Sequence, residues 1–167
     1  MPSRFIDKKF PQFPGRYFVQ SALAGLSIML LMVLHHHLES DALLASLGAS
    51  TFTVFTVPHA KSARSKCLIG GYVCGVLSGL GFRLLLASGW FAALDGAAVR
   101  VAAAGLGVGM AMLLMVLLQF EHPPAAGIAL GLVIGPWCPW NILYVMAAIT
   151  ALALVRGALR HYMRDLA

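Results

Sequence analysis

Four apolar stretches, about Tyr17–Leu34, Cys67–Ala87, Ala98–Phe120 and Asn141–Leu159, are each long enough to cross about 30 Å of hydrocarbon at 1.5 Å per residue. Within lipid no water pairs with backbone N–H and C=O groups, so a stretch of this kind has to satisfy them internally, as a helix. The balance of residue types agrees. Of 167 residues, 60% are hydrophobic and 11% charged, against about 25% charged in a soluble domain. The chain is therefore read as one all-α membrane domain at 17–159, with a basic segment at 1–16 and a short tail at 160–167. Arg4, Lys8, Lys9 and Arg16 precede the first apolar run, as in a signal peptide. That run is long and no convincing small-residue cleavage site follows, so it is read as an uncleaved first span.

Two further apolar stretches, about Ala42–Val57 and Ala125–Gly135, are short, and the second reaches only about 16–18 Å as a helix. Loop charge argues that both cross. With the N-terminus in the cytoplasm and six crossings, Arg4, Lys8, Lys9, Arg16, Lys61, Arg64, Lys66, Arg156, Arg160 and Arg164 face inward. Only Arg83 and Arg100 face outward, a strong positive-inside bias. Removing one short crossing would put a basic clump on the wrong side. The net charge of +6 is thus a topology signal and not a nucleic-acid footprint, because the cations sit in clumps between apolar runs. Both termini are expected in the cytoplasm. The order long-short-long occurs twice, and laying Pro58 on Pro136 aligns Thr51–Val57 with Ala129–Gly135 without a gap. Three crossings per half make the halves run in opposite senses, a 3+3 inverted repeat.

Glu121-His122-Pro123-Pro124 lies between two of the apolar stretches. Consecutive prolines cannot continue a helix, since each lacks an amide donor and forces the residue before it towards extended geometry. A break carrying a titratable ring beside a glycine-lined helix is what a membrane protein uses where it handles a polar solute. At these residues the chain resembles the HPP family of small integral membrane proteins, named for the tripeptide. Gly48-Ala49-Ser50, Val57-Pro58-His59 and Ile69-Gly70-Gly71 match the same family in order, and the resemblance spans about Tyr17 to Arg156. It departs at Ala126-Gly127-Ile128, where Gly-Ala-Thr is more usual, so no hydroxyl stands there. Some members of that family are linked to nitrite transport, which is the only ground for naming nitrite here.

Helix N-termini leave backbone N–H groups unpaired and carry partial positive charge. Two short helices starting inside the membrane, one at Gly48, Ala49 and Ser50 and one at Pro124, Ala125 and Ala126, would form an anion site. C-terminal ends meeting instead would suit a cation. The candidate substrate-binding residues are Gly48, Ala49, Ser50, Thr51, His122, Pro123, Pro124, Ala125 and Ala126. His122 can donate to an anion or take up a proton, or act only as a cap. Ser46, Ser50 and Thr53 share one helical face, where they either bond back to the preceding turn or line a path. Glycines at 71/75/79, 105/109 and 127/131/135 either admit close helix packing or leave room for a path. The loop from His59 to Lys66 sets topology or draws anions to a cytoplasmic mouth.

His35-His36-His37 with Glu39 and Asp41 makes a poor chelate on a helix, because neighbouring residues point about 100° apart. Cys67, Cys74 and Cys138 form no CxxC pair and are read as small buried side chains. Trp90, Trp137, Trp140 and Tyr144 suit an outer aromatic belt. With no phosphate loop, catalytic triad spacing or buried carboxylate pair, no enzyme, metal or cofactor is expected. The expected function is a small inorganic anion transporter or channel of a bacterial inner (plasma) membrane. The other reading is a sensor or scaffold that moves nothing. Expected partners are the lipid bilayer, a small anion and further copies of the chain, dimer or higher, and no nucleic acid.

Overall fold

The computed structural model describes residues 9–34, 40–89 and 96–166. Arg4, Lys8, His35, His36, His37, Glu39 and Trp90, which the sequence reading used, lie outside them. Regular structure among the described residues is entirely helical: α1 (Pro14–Leu34), α2 (Asp41–Thr56), α3 (Ser65–Ala87), α4 (Gly96–Leu117), α5 (Ala126–Ile134) and α6 (Pro139–Leu159). Single 3-10 turns at Phe10–Gln12, Lys61–Ala63 and Pro123–Ala125 precede α1, α3 and α5. Four of the helices are long and apolar enough to cross a membrane; α2 and α5 are the short ones.

α3 stands at the centre, touching α4, α5 and α6. Its glycine stripe explains why. A Cβ on Gly71 would lie 2.8 Å from the His122 Cβ, one on Gly75 would collide with the Ala125 carbonyl, and one on Gly79 would lie 2.8 Å from the Ala129 Cα. No side chain fits there, so the backbones of α3 and α5 come into direct contact. The second stripe receives α2. Gly127 faces Ser46, Gly131 faces Leu43 and Ala42, and Gly135 faces Ser40. As one number rises by four the other falls by about three, which makes α2 and α5 antiparallel. Both stripes are filled by neighbouring helices and leave no path. Gly105 and Gly109 differ: a Cβ on either would meet nothing within 4 Å outside its own helix, and the packed glycine of α4 is Gly107, against Phe82 and Val133.

Polar contacts gather the chain ends at one end of the bundle. The Tyr17 hydroxyl donates to the Leu166 carbonyl (3.1 Å), and the Gln20 amide donates to the carbonyls of Phe55 and Arg164. Leu166 N–H reaches the Thr56 carbonyl (2.8 Å), and His59 N–H the Asp165 carboxylate (3.0 Å). The start of α1, the end of α2 and residues 160–166 therefore share one surface, as an even number of passages requires. At the opposite end Arg83 donates to the carbonyls of Leu132 (2.8 Å) and Gly135 (2.9 Å) and lies over the Trp137 ring. Those carbonyls belong to the last turn of α5, which has no later turn to bond them and carries partial negative charge. Trp137 and Trp140 are exposed at this end, while the Tyr144 hydroxyl bonds the Leu31 carbonyl. Cys67 and Cys74 are buried and unbridged.

Replacing Gly75 with alanine should lower the melting temperature of the purified protein, since overpacking costs about 1–3 kcal/mol. Gly105→Ala, where a Cβ meets nothing, should leave stability unchanged or raise it by up to about 1 kcal/mol. Equal melting temperatures for Gly75→Ala and native protein would refute the close backbone contact.

Candidate functional site

α4 stops at Leu117, three residues before the sequence reading ended its span and well ahead of the prolines. Gln119 adopts a left-handed conformation (φ 57°). Phe120 N–H bonds the Met115 carbonyl (2.8 Å) and Gln119 N–H the Val116 carbonyl (3.2 Å), the paired contacts of a Schellman cap. The chain then dips into the bundle. Phe120 lies against Gly70 and His122 against Gly71, which is six residues into α3, or about 9 Å below its start. His122 is extended (φ −138°, ψ 91°), the geometry that a following proline imposes. Pro123 and Pro124 open the 3-10 turn leading into α5, where a missing N–H removes nothing the helix would use.

His122, Ser50 and Tyr72, from three different elements, meet here, and each is 0% exposed. The His122 Nε2 lies 2.8 Å from the Ser50 Oγ, which is 2.8 Å from the Tyr72 hydroxyl and 2.9 Å from the Ser46 carbonyl. The His122 Nδ1 lies 2.9 Å from the Ser62 carbonyl. A carbonyl can only accept, so Nδ1 carries a proton and a neutral ring presents Nε2 as an acceptor. Ser50 then has one proton and two acceptors, Nε2 and the Ser46 carbonyl. One of those contacts lacks a hydrogen. If His122 takes up a second proton, Nε2–H donates to Ser50, Ser50 donates to Ser46, Tyr72 donates to Ser50, and every contact is satisfied. The arrangement is thus one proton short when neutral and complete when charged.

Two of the nine predicted site residues, Ser50 and His122, are brought together directly. Gly48 and Thr51 turn away and border a cavity of about 290 Å³ between α1 and α2. The Thr51 and Thr53 hydroxyls bond back to the carbonyls of Leu47 (2.9 Å) and Ala49 (3.0 Å), and Ala49 itself is exposed. Ala125 is buried against Gly71 and Gly75. Pro124 is half-buried. Pro123 and Ala126 border a cleft of about 160 Å³ beside Met112, Met115 and Val116 of α4.

One geometric expectation is overturned. Gly48, Ala49 and Ser50 do not start a helix; they lie inside α2, which begins at Asp41 after Ser40. A lone glycine in a helix costs only about 1 kcal/mol relative to alanine, too little to interrupt a segment of good helix formers. The free N–H groups of α2 lie around Asp41, beside the C-terminal end of α5 at Gly131 and Gly135. Antiparallel packing therefore sends the two electropositive helix ends to opposite ends of the bundle, with no pocket shared between them. The sequence reading also passed over Tyr72 and the Ser62 carbonyl. Tyr72 was visible as the one phenol in the third apolar stretch, beside Gly71; a backbone carbonyl leaves no mark in sequence.

Just above this node the Lys61 Nζ lies 2.9 Å and 2.7 Å from the two carboxylate oxygens of Glu121. Both side chains are about as exposed as buried, so salt and water screen the pair. It ties the basic 57–64 connection to the segment that carries His122.

The family model described as HPP, transmembrane region, matches residues 11–164. No curated protein and no solved structure matches the chain.

The hydrogen bond from Lys61 holds the Glu121 carboxyl below its ordinary value. A depressed carboxyl contributes stability above its unfolded pKa, about 4.5, and that contribution fades as pH falls through the lower folded value. Melting temperature should therefore drop more steeply below about pH 4.5 in native protein than in Glu121→Gln. Superimposable profiles would show that the pair adds nothing.

Proposed function

The chain belongs to the HPP family of integral membrane proteins, and from that premise we propose that it carries a small inorganic anion across the membrane. The observation that carries this reading is the Ser50–Tyr72–His122 node. Ionisable and hydroxyl groups are expensive inside an apolar bundle, and an ionisable one there is by default a candidate for function. Ser50, Tyr72 and protonated His122 offer one donor each from α2, α3 and the turn before α5, a set that suits an oxyanion. The imidazolium would offset the anion's charge, so that anion and proton travel together. In the described arrangement the three groups bond one another and the node is closed. Loading requires α2 and α5 to part where Ser46 faces Gly127.

The 3+3 inverted repeat belongs to this reading, with rocking of one half against the other to alternate access. Two facts support it. α2 and α5 are antiparallel, and the alignment of Pro58 with Pro136 sets Thr56, the last residue of α2, on Ile134, the last of α5. In this reading the end that holds the chain termini faces the cytoplasm of a bacterial inner membrane, which the charge bias supports. The outward stripe of Gly105 and Gly109 offers a second copy a close approach. Nitrite as cargo rests on the family resemblance.

Liposomes containing the purified chain should take up nitrite, or another small anion from a panel, faster at acidic than at alkaline external pH. His122→Ala, Ser50→Ala and Tyr72→Phe should each cut uptake about tenfold or more, the value of one charge-assisted hydrogen bond, with normal insertion. Absence of flux for every anion would leave the sensor or scaffold reading. Native uptake in all three variants would remove the node from the pathway.

A further inference from the structure

A second polar feature lies at the end of the bundle that holds the chain termini. His59, Arg64, Arg156, Arg160 and His161 surround a cleft of about 500 Å³. Three guanidinium groups from two elements, the 57–64 connection and the end of α6, converge on it. Arg156 is only 7% exposed. Its Nε and Nη2 both donate to the Pro58 carbonyl (3.1 and 2.6 Å), which fixes the plane of the guanidinium and leaves its other N–H groups unspent. Among the described residues, neither Arg64 nor Arg160 has a carboxylate within ion-pair distance. Of the two acids described at this end, Glu121 pairs with Lys61, and Asp165 stands at the rim 3.4 Å from His59, away from the three guanidinium groups.

Topology alone does not require this arrangement. The positive-inside bias is met by any exposed lysine or arginine, and it gives no reason to bury one. The dipole of α6 favours cations at its C-terminal end, which accounts for Arg156 and Arg160 but not for Arg64 on another element. Like charges gathered around a concavity with no acid among the lining residues repel one another, and an anion entering the concavity removes that cost. Planar guanidinium forks match the paired oxygens of a phosphate, which a single-point cation does not. The volume is also within the range of sites that enclose a whole organic ligand, and basic pockets at the ends of membrane helices suit lipid headgroups.

We propose that this cleft binds a phosphate group, presented either by an anionic phospholipid headgroup or by a free phosphate. The site is separate from the Ser50–Tyr72–His122 node and stands whether or not the chain transports anything. The test is thermal unfolding of the full chain in detergent micelles. One arm compares added phosphatidylglycerol with phosphatidylcholine; the other compares inorganic phosphate with chloride at matched ionic strength. A rise in melting temperature is expected in at least one arm, because a ligand that binds only the folded state stabilises it. A rise with phosphatidylglycerol alone identifies the lipid as the source, and a rise with phosphate identifies the free ion. Arg64 and Arg160 are exposed, so the double variant Arg64→Gln/Arg160→Gln should fold, and it should need about thirtyfold more ligand for the same rise. No rise in either arm overturns the proposal, and so does a double variant that responds like the native chain. Should that variant fail to fold, the two native-protein arms decide alone.

Discussion

Lipid tails are as apolar as leucine, so helices inside a bilayer gain little by merely turning apolar faces to each other. They associate where atoms can pack closely enough for dispersion and short polar contacts to count. In this chain that condition is met along Gly71, Gly75 and Gly79, where α3 offers bare backbone to the segment 122–132. The rest follows from that contact. It pulls α5 to the centre although α5 is only nine residues long, and it sets the depth of the Phe120–Ala125 segment. It also holds the His122 ring where α2 and α3 can supply Ser50 and Tyr72. A methyl group on any of the three glycines would move the ring as well as the helix.

Much of this architecture was legible in the chain itself. The four long segments were readable from apolar length, and all six observed helices depart from the expected limits by at most three residues. Sequence also revealed the short pair, because their contribution to loop charge bias does not depend on their length. The internal start assigned at Gly48 failed for a different reason. Glycine next to small and hydroxyl residues reads as a break, but its cost is small, and α2 continues through it from Asp41. Ser50 and His122 were found because a hydroxyl and an imidazole are conspicuous among apolar residues. Their mutual contact could not be read, since it depends on the antiparallel register of α2 and α5. That register comes from which glycine admits which side chain.

Two polar assemblies now stand at different depths of one bundle, and they differ in character. The inner one is neutral or singly charged, closed, and made of groups that satisfy one another according to how many protons are present. The outer one is strongly basic and open, and its charge is unbalanced by acids among its lining residues. The 57–64 connection touches both, through the Ser62 carbonyl on His122 and through Arg64 at the cleft. Displacing that short connection would alter the inner hydrogen-bond partner and the outer charge cluster together.

The attachment of α1 bears on how the molecule is put together. Most of α1 lies exposed along the outside of the bundle, and polar anchors fasten its start: Tyr17 to Leu166, and Gln20 to Phe55 and Arg164. The ribosome delivers residue 20 early and residues 164–166 more than a hundred codons later. Until then the Gln20 amide sits in a helix that has entered lipid with half its partners unmade. The first helix to be synthesised is thus among the last to be fastened, by a latch that closes only once the sixth has come back across.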